Sequence, residues 1–247
     1  MERRIPLFWQ LEIETRSTCN RTCAGCLRNS HPDREAVAPW FEDNELPTEV
    51  IHRLFREAQE MGFRGAVCLQ HYNEPLQDSR IADLGATAMS MGFQHVFTCT
   101  NADYLNERVA ESLDGRFHQL IVAVYVEEPH KSRREEWVRS LFSTTEVVLT
   151  HGEMIPTHFS PLFPVTLLSQ RHAANPCWEP IKRMIVNHRG DMLMCCDDMV
   201  GHFDLGNVYD HSLEDLWFSE RHQDLLLALE QPGGRSCHAH CLSCPRP

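Results

Sequence analysis

The chain has 247 residues and a formal net charge of −12 at pH 7, with 23 Lys and Arg against 35 Asp and Glu. Its hydrophobic fraction of 42% is ordinary for a globular protein with one substantial core and a small appendage. The acidic balance argues against nucleic-acid and anionic membrane partners, which need positive patches. No apolar run approaches the ~18 residues of a membrane span, and Glu12 and Glu14 come too early for a signal peptide. We therefore expect a cytoplasmic protein.

The eleven cysteines are the unusual feature of the composition. Without a secretory signal we expect free thiols and no disulfide framework. Nine of them form two groups, which are Cys19, Cys23 and Cys26 near the start and Cys177, Cys195, Cys196, Cys237, Cys241 and Cys244 towards the end. Cys68 and Cys99 stand alone in apolar runs and are expected to be buried fillers. Two groups of thiols predict metal chemistry at both ends of the chain.

The first two thirds of the chain alternate strand-like and helix-like segments. Strands are predicted at Leu7–Ile13, Ala66–Gln70, His95–Cys99, Leu120–Val126, Glu146–Leu149 and Val165–Leu168. Helices are predicted at Thr48–Met61, Arg80–Met91, Leu105–Leu113 and Ser132–Phe142, with N-caps at Thr48 and Ser132 and stops at Gly62, Gly92 and Gly115. This alternation predicts an α/β fold with a parallel sheet, either open or a partial (β/α)6 barrel. The active site is then expected at the carboxyl ends of the strands.

The pattern changes after about residue 170. Met184–Asn187 and Met192–Cys195 flank a turn and predict a β-hairpin, and a helix capped by Ser212 and Asp215 is expected to run to about Leu229. We therefore predict two domains, a partial barrel over residues 1–170 and a cysteine-rich domain over residues 171–247. The second is too small to bury much core, so a metal would help to hold it together.

The first cysteine group has the spacing Cys-x3-Cys-x2-Cys, directly after the first predicted strand. Zinc sites usually need four protein ligands, and this loop offers Cys19, Cys23 and Cys26 with no fourth nearby. Three thiolates leave one iron of a four-iron cluster without a protein ligand, so a small molecule can bind there. A structural zinc loop is the alternative.

This loop resembles the motif of the radical S-adenosylmethionine (SAM) superfamily, although Gly25 stands where the family usually has an aromatic residue. The resemblance implies that SAM chelates the open iron and is reductively cleaved to a 5′-deoxyadenosyl radical, which takes a hydrogen atom from the substrate. It also implies an electron donor of the flavodoxin or ferredoxin type.

Segments at three further strand ends resemble SAM-binding motifs of the superfamily. The segment after the second strand resembles Gly-Gly-Glu-Pro, the one after the third resembles a Thr-Asn-Gly turn with Ala102 for glycine, and the one after the sixth resembles Ser-x-Arg. An arginine there can meet the SAM carboxylate. The cofactor-binding residues implied are Asn73, Glu74, Asn101, Ser169 and Arg171.

The end of the fourth strand is expected to face the substrate. There Tyr125 is predicted to help hold SAM and Glu127 to orient a polar substrate, and either residue could equally be structural support.

The second cysteine group opens with Cys-x12-Gly-x4-Cys, which resembles the SPASM and Twitch extensions of radical SAM enzymes. A full SPASM extension has seven cysteines and two auxiliary clusters, so this shorter set implies one auxiliary cluster, as in Twitch. The predicted ligands are Cys177, Cys195, Cys241 and Cys244, with Cys196 and Cys237 in reserve. Zinc bound with help from His238 or His240 is the alternative.

Aminocyclitol dehydrogenases of antibiotic biosynthesis carry a one-cluster extension of this kind. The resemblance therefore implies two [4Fe–4S] clusters, SAM as co-substrate and oxidation of a secondary alcohol on a small sugar or aminocyclitol. We expect no room for a peptide-recognition domain. The alternatives are a radical epimerase, a ribosomal-peptide-modifying enzyme and a zinc-stapled binding protein with no enzymatic activity.

Overall fold

A seven-stranded sheet forms the centre of the protein in the computed structural model, which describes residues 4–23, 25–125, 129–151 and 174–244. The strands are β1 Gln10–Ile13, β2 Ala66–Cys68, β3 His95–Thr100, β4 Gln119–Val124, β5 Glu146–His151, β6 Arg183–Val186 and β7 Met192–Leu193. Their order is β5-β4-β3-β2-β1-β6-β7, and every neighbouring pair is parallel except β6 and β7. The predicted parallel α/β fold is confirmed. The predicted sixth strand, Val165–Leu168, lies outside the described residues.

Four helices cross between consecutive parallel strands, close to where helical periodicity predicts them. The helices in chain order are α1 Leu27–Ser30, α2 Thr48–Glu60, α3 Ile81–Ser90, α4 Glu107–Leu113, α5 His130–Ser140, α6 Glu179–Lys182, α7 Leu213–Trp217, α8 Glu220–Leu229 and α9 Ala239–Leu242. Short 3-10 turns are formed by Ala38–Trp40, Pro75–Gln77 and Gly234–Cys237. None of the helices in these described residues is long and apolar enough to cross a membrane.

Several predicted helix ends need correction. Thr48 and Ser132 are not N-caps, because α2 follows Pro47 and α5 follows Pro129. A proline side chain has no hydrogen-bond acceptor, so neither helix has a side-chain cap at this position. The predicted long helix up to Leu229 is two helices, because Ser219 accepts a hydrogen bond from the amide of His222 and caps a new one.

The strands present two different faces. Side chains alternate along each strand, and one set packs against the helices in the apolar core, as Leu11, Val67 and Val96 do. The other set lies on the opposite side of the sheet, which we call the second face. It includes Glu12, Cys68, Phe97, Cys99 and Arg183. The sheet therefore has one apolar face and one with charged and sulfur-bearing side chains.

The predicted hairpin is formed by β6 and β7, but it is built into the main sheet. β6 pairs in parallel with β1 in a register that runs from Gln10 opposite Arg183 to Ile13 opposite Val186. The hairpin thus gives β1 a second hydrogen-bonded neighbour. The division into residues 1–170 and 171–247 stays a prediction.

The turn of this hairpin depends on Gly190, whose φ of +84° is the left-handed region that favours glycine. A β-carbon there would lie 2.9 Å from Asn207 Oδ1 and 3.0 Å from the Tyr209 ring. Gly62 has an equal φ of +85° with nothing within 4 Å, so it is a matched control.

We expect Gly62→Ala to lower the free energy of unfolding by about 1–2 kcal/mol through backbone strain alone. Gly190→Ala should lower it by about 1–3 kcal/mol more, because the added carbon also crowds its neighbours. Denaturant unfolding of the two variants measures the difference. Equal losses would show that the packing around Gly190 is not tight.

Candidate active site

The first cysteine group lies where β1 ends, in the loop that leads into α1. Cys26 immediately precedes α1, and its amide donates to Cys23 O at 3.1 Å. The three side chains of Cys19, Cys23 and Cys26 are each half-buried. The turn therefore gathers three thiols at the carboxyl end of the sheet, which is where the active site is expected.

Burial raises the pKa of the Cys26 thiol to about 11, and repulsion from Cys19 and Cys23 adds to this, while Arg28 opposes it. Burial likewise raises the pKa of Cys19, with Arg28 again opposing. The sulfurs are close enough to repel one another as thiolates. A thiol that binds a metal is deprotonated, and the positive charge of bound metal ions would offset the repulsion between the three thiolates.

The donor set fits a four-iron cluster, which takes one thiolate per iron and here would have one iron open. A single metal ion needs three or more ligands converging on one point. Among the described residues no group of three Cys, His, Asp or Glu side chains is arranged in that way.

Glu74 connects the strand ends around this loop. Its buried carboxylate accepts hydrogen bonds from Thr100 Oγ1 at 2.5 Å, Asn101 N at 2.8 Å and Leu76 N at 3.0 Å. Its own amide donates to Thr18 O at 2.8 Å, next to Cys19. Glu74 therefore joins the ends of β2 and β3 to the cysteine loop. Its contact with a SAM amino group stays a prediction.

Asn101 and Asn73 lie beside the same loop. The Asn101 side-chain amide donates to Asn20 Oδ1 at 2.9 Å and lies 4.0 Å from Cys19 Sγ. Ala102 has a φ of +57°, so it holds the left-handed conformation for which the family turn uses glycine. Asn73 accepts a hydrogen bond from the amide of His71, and its buried Nδ2 has no partner among the described residues.

Tyr125 lies at the same site, just after β4. The Arg21 guanidinium sits 4.4 Å from the centre of its ring, and Arg21 also binds Asp103 with a 2.7 Å contact from Nε. Burial, followed by the charge of Cys23, raises the pKa of the Tyr125 hydroxyl. Tyr125 is therefore beside the cysteine loop. Three predicted residues, Glu127, Ser169 and Arg171, lie outside the described part of the chain.

Two buried glutamate–histidine pairs were not predicted from the sequence. Glu12 Oε1 lies 2.5 Å from His71 Nδ1, and Glu14 Oε2 lies 2.8 Å from His188 Nδ1. Burial disfavours the Glu12 carboxylate, but the hydrogen bond and charge of His71, together with Arg183, outweigh it and lower the Glu12 pKa. The sequence signal that could have revealed them is an acidic residue, Glu12, inside an apolar strand, with a second one, Glu14, directly after it.

The burial predicted for the two isolated cysteines is confirmed for Cys68 and wrong for Cys99. Cys68 is buried, but Cys99 is only half-buried. They lie close enough for Cys99 to raise the pKa of Cys68, and both are on the second face, outside the apolar core. Alternation along β2 and β3 places both thiols on that face.

Four cysteines of the second group line a small cavity. Its lining residues are Cys177, Pro180, Met194, Cys195, Arg235, His240, Cys241 and Cys244. The cavity thus gathers the four predicted ligands, whereas Cys196 and Cys237 do not line it. The assignment of these four as ligands stays a prediction.

Burial raises the pKa of Cys177, of Cys195 and of Cys241, and neighbouring thiols add to the effect at Cys195 and Cys241. Arg235, itself buried, opposes this at Cys177 and Cys241. Four thiolates in so small a space need several positive charges, which the irons of a cluster would supply. The donor set fits a cluster with no open iron.

The tail histidines pack against aromatic rings. The His238 ring lies 4.1 Å from Phe203, and the His240 ring lies 4.8 Å from His202. A larger cavity of about 810 Å³ opens at the opposite edge of the sheet, beside Trp9 and Gly65, and none of the predicted site residues lines it.

The SPASM family, described as an iron-sulfur cluster-binding domain, matches residues 177–245. The chain carries a SPASM domain. Over 243 residues the chain is 25% identical to the S-adenosyl-L-methionine-dependent 2-deoxy-scyllo-inosamine dehydrogenase of Niallia circulans, covering 96% of this chain and 93% of that protein. The predicted resemblance to SAM-dependent aminocyclitol dehydrogenases is therefore confirmed.

Solved structures share the fold. BtrN in complex with AdoMet and 2-DOIA superposes with a TM-score of 0.78 at 21% identity, covering 97% of this chain and 94% of that one. His-tagged anSMEcpe with bound AdoMet superposes with a TM-score of 0.59 at 13% identity, covering 96% of this chain and 84% of that one. The predicted fold class, with its parallel sheet and C-terminal SPASM domain, is confirmed.

We expect Cys241→Ala to lower the iron content of anaerobically purified protein from about eight to about four per chain, because one cluster loses a ligand. Cys237→Ala is the matched control, since that thiol lies in the same tail but does not line the cavity. Iron and sulfide analysis measures both. Equal iron in the Cys241 variant and the unaltered protein would overturn the ligand assignment.

Proposed function

We propose that this protein is a radical SAM dehydrogenase that oxidises a secondary alcohol of a small polar substrate, of the aminocyclitol or sugar class. The observation that carries the proposal is the presence of two thiol sites in one fold, an open set of three and a closed set of four. The likeness to the Niallia circulans dehydrogenase over 96% of the chain supports this reading.

The cofactors are two [4Fe–4S] clusters and SAM. When bound, SAM and the cluster of the cysteine loop supply a 5′-deoxyadenosyl radical, and the auxiliary cluster serves as a one-electron acceptor. Cys19, Cys23 and Cys26 would hold the first cluster, and Cys177, Cys195, Cys241 and Cys244 the second. A low-potential flavodoxin or ferredoxin would deliver the electron, and the cytoplasm would keep the thiols reduced.

The chain's own residues place SAM and the substrate. Glu74 fixes the loop after β2 against Thr100 and the cysteine loop, so that Asn73 and Asn101 flank the three thiols. Tyr125 covers the same loop from β4 and is held there by Arg21. We assign to Ser169 and Arg171 a contact with the SAM carboxylate, and to Glu127 a contact with the substrate.

An alcohol oxidation removes two electrons, and a hydrogen-atom abstraction accounts for only one of them. A cluster with all four irons bound to thiolates cannot bind SAM, so its use is electron transfer. This is why the closed four-thiol cavity favours oxidation over a reaction that needs one cluster.

Epimerisation is the second candidate, because the Cys68 and Cys99 thiols lie on the second face. A thiol hydrogen could be returned to a substrate radical from the opposite side. The two outcomes differ in the oxidation level of the product.

The deciding experiment incubates the reduced holoenzyme with SAM and aminocyclitols deuterated at the carbinol carbon. Oxidation predicts one 5′-deoxyadenosine per ketone, with deuterium in the 5′-deoxyadenosine. Epimerisation predicts incorporation of solvent hydrogen without a ketone. Cleavage of SAM without any change in a panel of aminocyclitols and sugars would overturn the proposed substrate class.

We further expect replacement of Cys19, Cys23 and Cys26 together by alanine to abolish SAM cleavage, because no thiolate then holds the open-iron cluster. The auxiliary cluster should remain, and its absorbance serves as a control for folding. Cleavage at the original rate would contradict the assignment of this loop.

A further inference from the structure

Glu12 and His71 were not among the predicted site residues. Oxidation of an alcohol also requires a base that removes the hydroxyl proton, and the proposed function has so far assigned no residue to that step. On the basis of that function, we propose that His71, held by Glu12, is the base that accepts the proton of the substrate hydroxyl group. His71 would be a catalytic residue and Glu12 a positioning residue.

The pair is rigidly held. His71 Nδ1 lies 2.5 Å from Glu12 Oε1, and the other carboxylate oxygen accepts from Gln10 Nε2 at 2.9 Å and from Arg183 Nη1 at 3.3 Å. A carboxylate beside Nδ1 keeps the ring hydrogen on that nitrogen. The lone pair of the neutral ring is then on Nε2, which is the arrangement of a general base.

Nε2 of His71 is buried and has no hydrogen-bond partner among the described residues, in a side chain that is only 3% exposed. Buried ring nitrogens in proteins are normally hydrogen-bonded. A substrate hydroxyl group is a partner that this nitrogen can accept from.

The position of His71 is between the two thiol sites. On one side, its amide donates to Asn73 Oδ1, and Glu74 follows with its bond to the cysteine loop. On the other side, the Tyr72 hydroxyl donates to the backbone oxygen of Cys196, next to the cavity-lining Cys195. A base for this reaction has to reach the hydroxyl group of a substrate whose carbinol carbon lies beside the source of the radical.

The step balances in atoms and electrons. The deoxyadenosyl radical removes hydrogen from the carbinol carbon and leaves an α-hydroxy radical, which is more acidic than the alcohol. The O–H bond then breaks, its proton forms the Nε2–H bond of His71, and a ketyl radical remains. One electron passes from the ketyl to the auxiliary cluster, which completes the carbonyl group. His71 later releases its proton to solvent.

The charges around His71 favour the protonated form of its imidazole ring, so that the ring can hold the proton that it accepts. Burial disfavours the charged imidazole, but the hydrogen bond and charge of Glu12 and the charge of Glu14 outweigh it and raise the His71 pKa, with Arg183 opposing. The Tyr72 ring packs against His71 at 4.5 Å. Because the base acts when neutral, ketone formation should rise with pH through this raised pKa.

The first test is His71→Gln, whose amide occupies the position of Nε2 but cannot take a proton. SAM cleavage and deuterium transfer into 5′-deoxyadenosine should persist. The rate of ketone formation should fall about 100-fold or more. The ratio of 5′-deoxyadenosine to ketone should therefore rise above one. An unchanged ratio with an unchanged pH profile would overturn the proposal.

The matched control is His188→Gln. His188 makes the same contact with Glu14, and its Nε2 likewise has no partner among the described residues, but both side chains are fully buried and the Trp40 ring lies 4.9 Å away in a T-shaped contact. We expect this variant to be less stable with an unchanged product ratio. An equal rise in both variants would show a general structural effect and overturn the assignment to His71.

A second variant keeps the test open if His71→Gln does not fold. Glu12→Gln removes the charge that raises the His71 pKa, so the acid limb of ketone formation should move to lower pH. The pKa of His71 should move the same way in an NMR titration of histidine-labelled holoenzyme with oxidised, diamagnetic clusters, which requires no turnover. Equal histidine pKa values in both proteins would overturn the role of Glu12.

These outcomes are distinct from a failure of the proposed function. If the unaltered enzyme forms no ketone, the dehydrogenase proposal itself fails. If it forms ketone and the His71 variant does so equally well, only the assignment of the base fails.

Discussion

The parallel pairing of β1 with β6 is the contact that joins the two cysteine-bearing parts of the chain in one sheet. It joins residues about 170 positions apart in the chain, from Gln10 opposite Arg183 to Ile13 opposite Val186. Parallel neighbours end at the same edge of a sheet. The three-cysteine loop after β1 and the hairpin turn after β6 are therefore brought to one edge, and β7 runs back from that turn, antiparallel to β6, towards Cys195.

The same strand supplies buried charge to that edge. Glu14 binds His188 in the hairpin turn, and Glu12 binds His71 after β2, so each glutamate ties β1 to a neighbouring segment. Burying such pairs adds little net stability, because desolvation offsets most of the attraction. Their value lies in fixing orientation. In both pairs, that orientation leaves a buried imidazole Nε2 with no hydrogen-bond partner among the described residues.

Periodicity and spacing predicted much of this architecture. The crossover helices and parallel strands follow from apolar periods of 3.6 and 2, and the grouping of Cys177 with Cys195 follows from the turn at Gly190. The pairing of β6 with β1 was not predicted, because no local pattern encodes a contact at such separation. The Glu12–His71 contact was missed for the same reason. The N-caps were wrongly assigned to Thr48 and Ser132, because the sequence rule looks for a capping side chain and the N-cap positions are occupied by Pro47 and Pro129.

SAM can bind as proposed only if the cluster of the cysteine loop keeps one iron free. Electron paramagnetic resonance of the reduced protein, with and without SAM labelled with ¹⁵N at its amino group, tests it most directly. We expect a changed cluster signal on SAM addition and a hyperfine coupling to the labelled nitrogen. A cluster signal that SAM leaves unaltered, or a protein without iron in this loop, would contradict it.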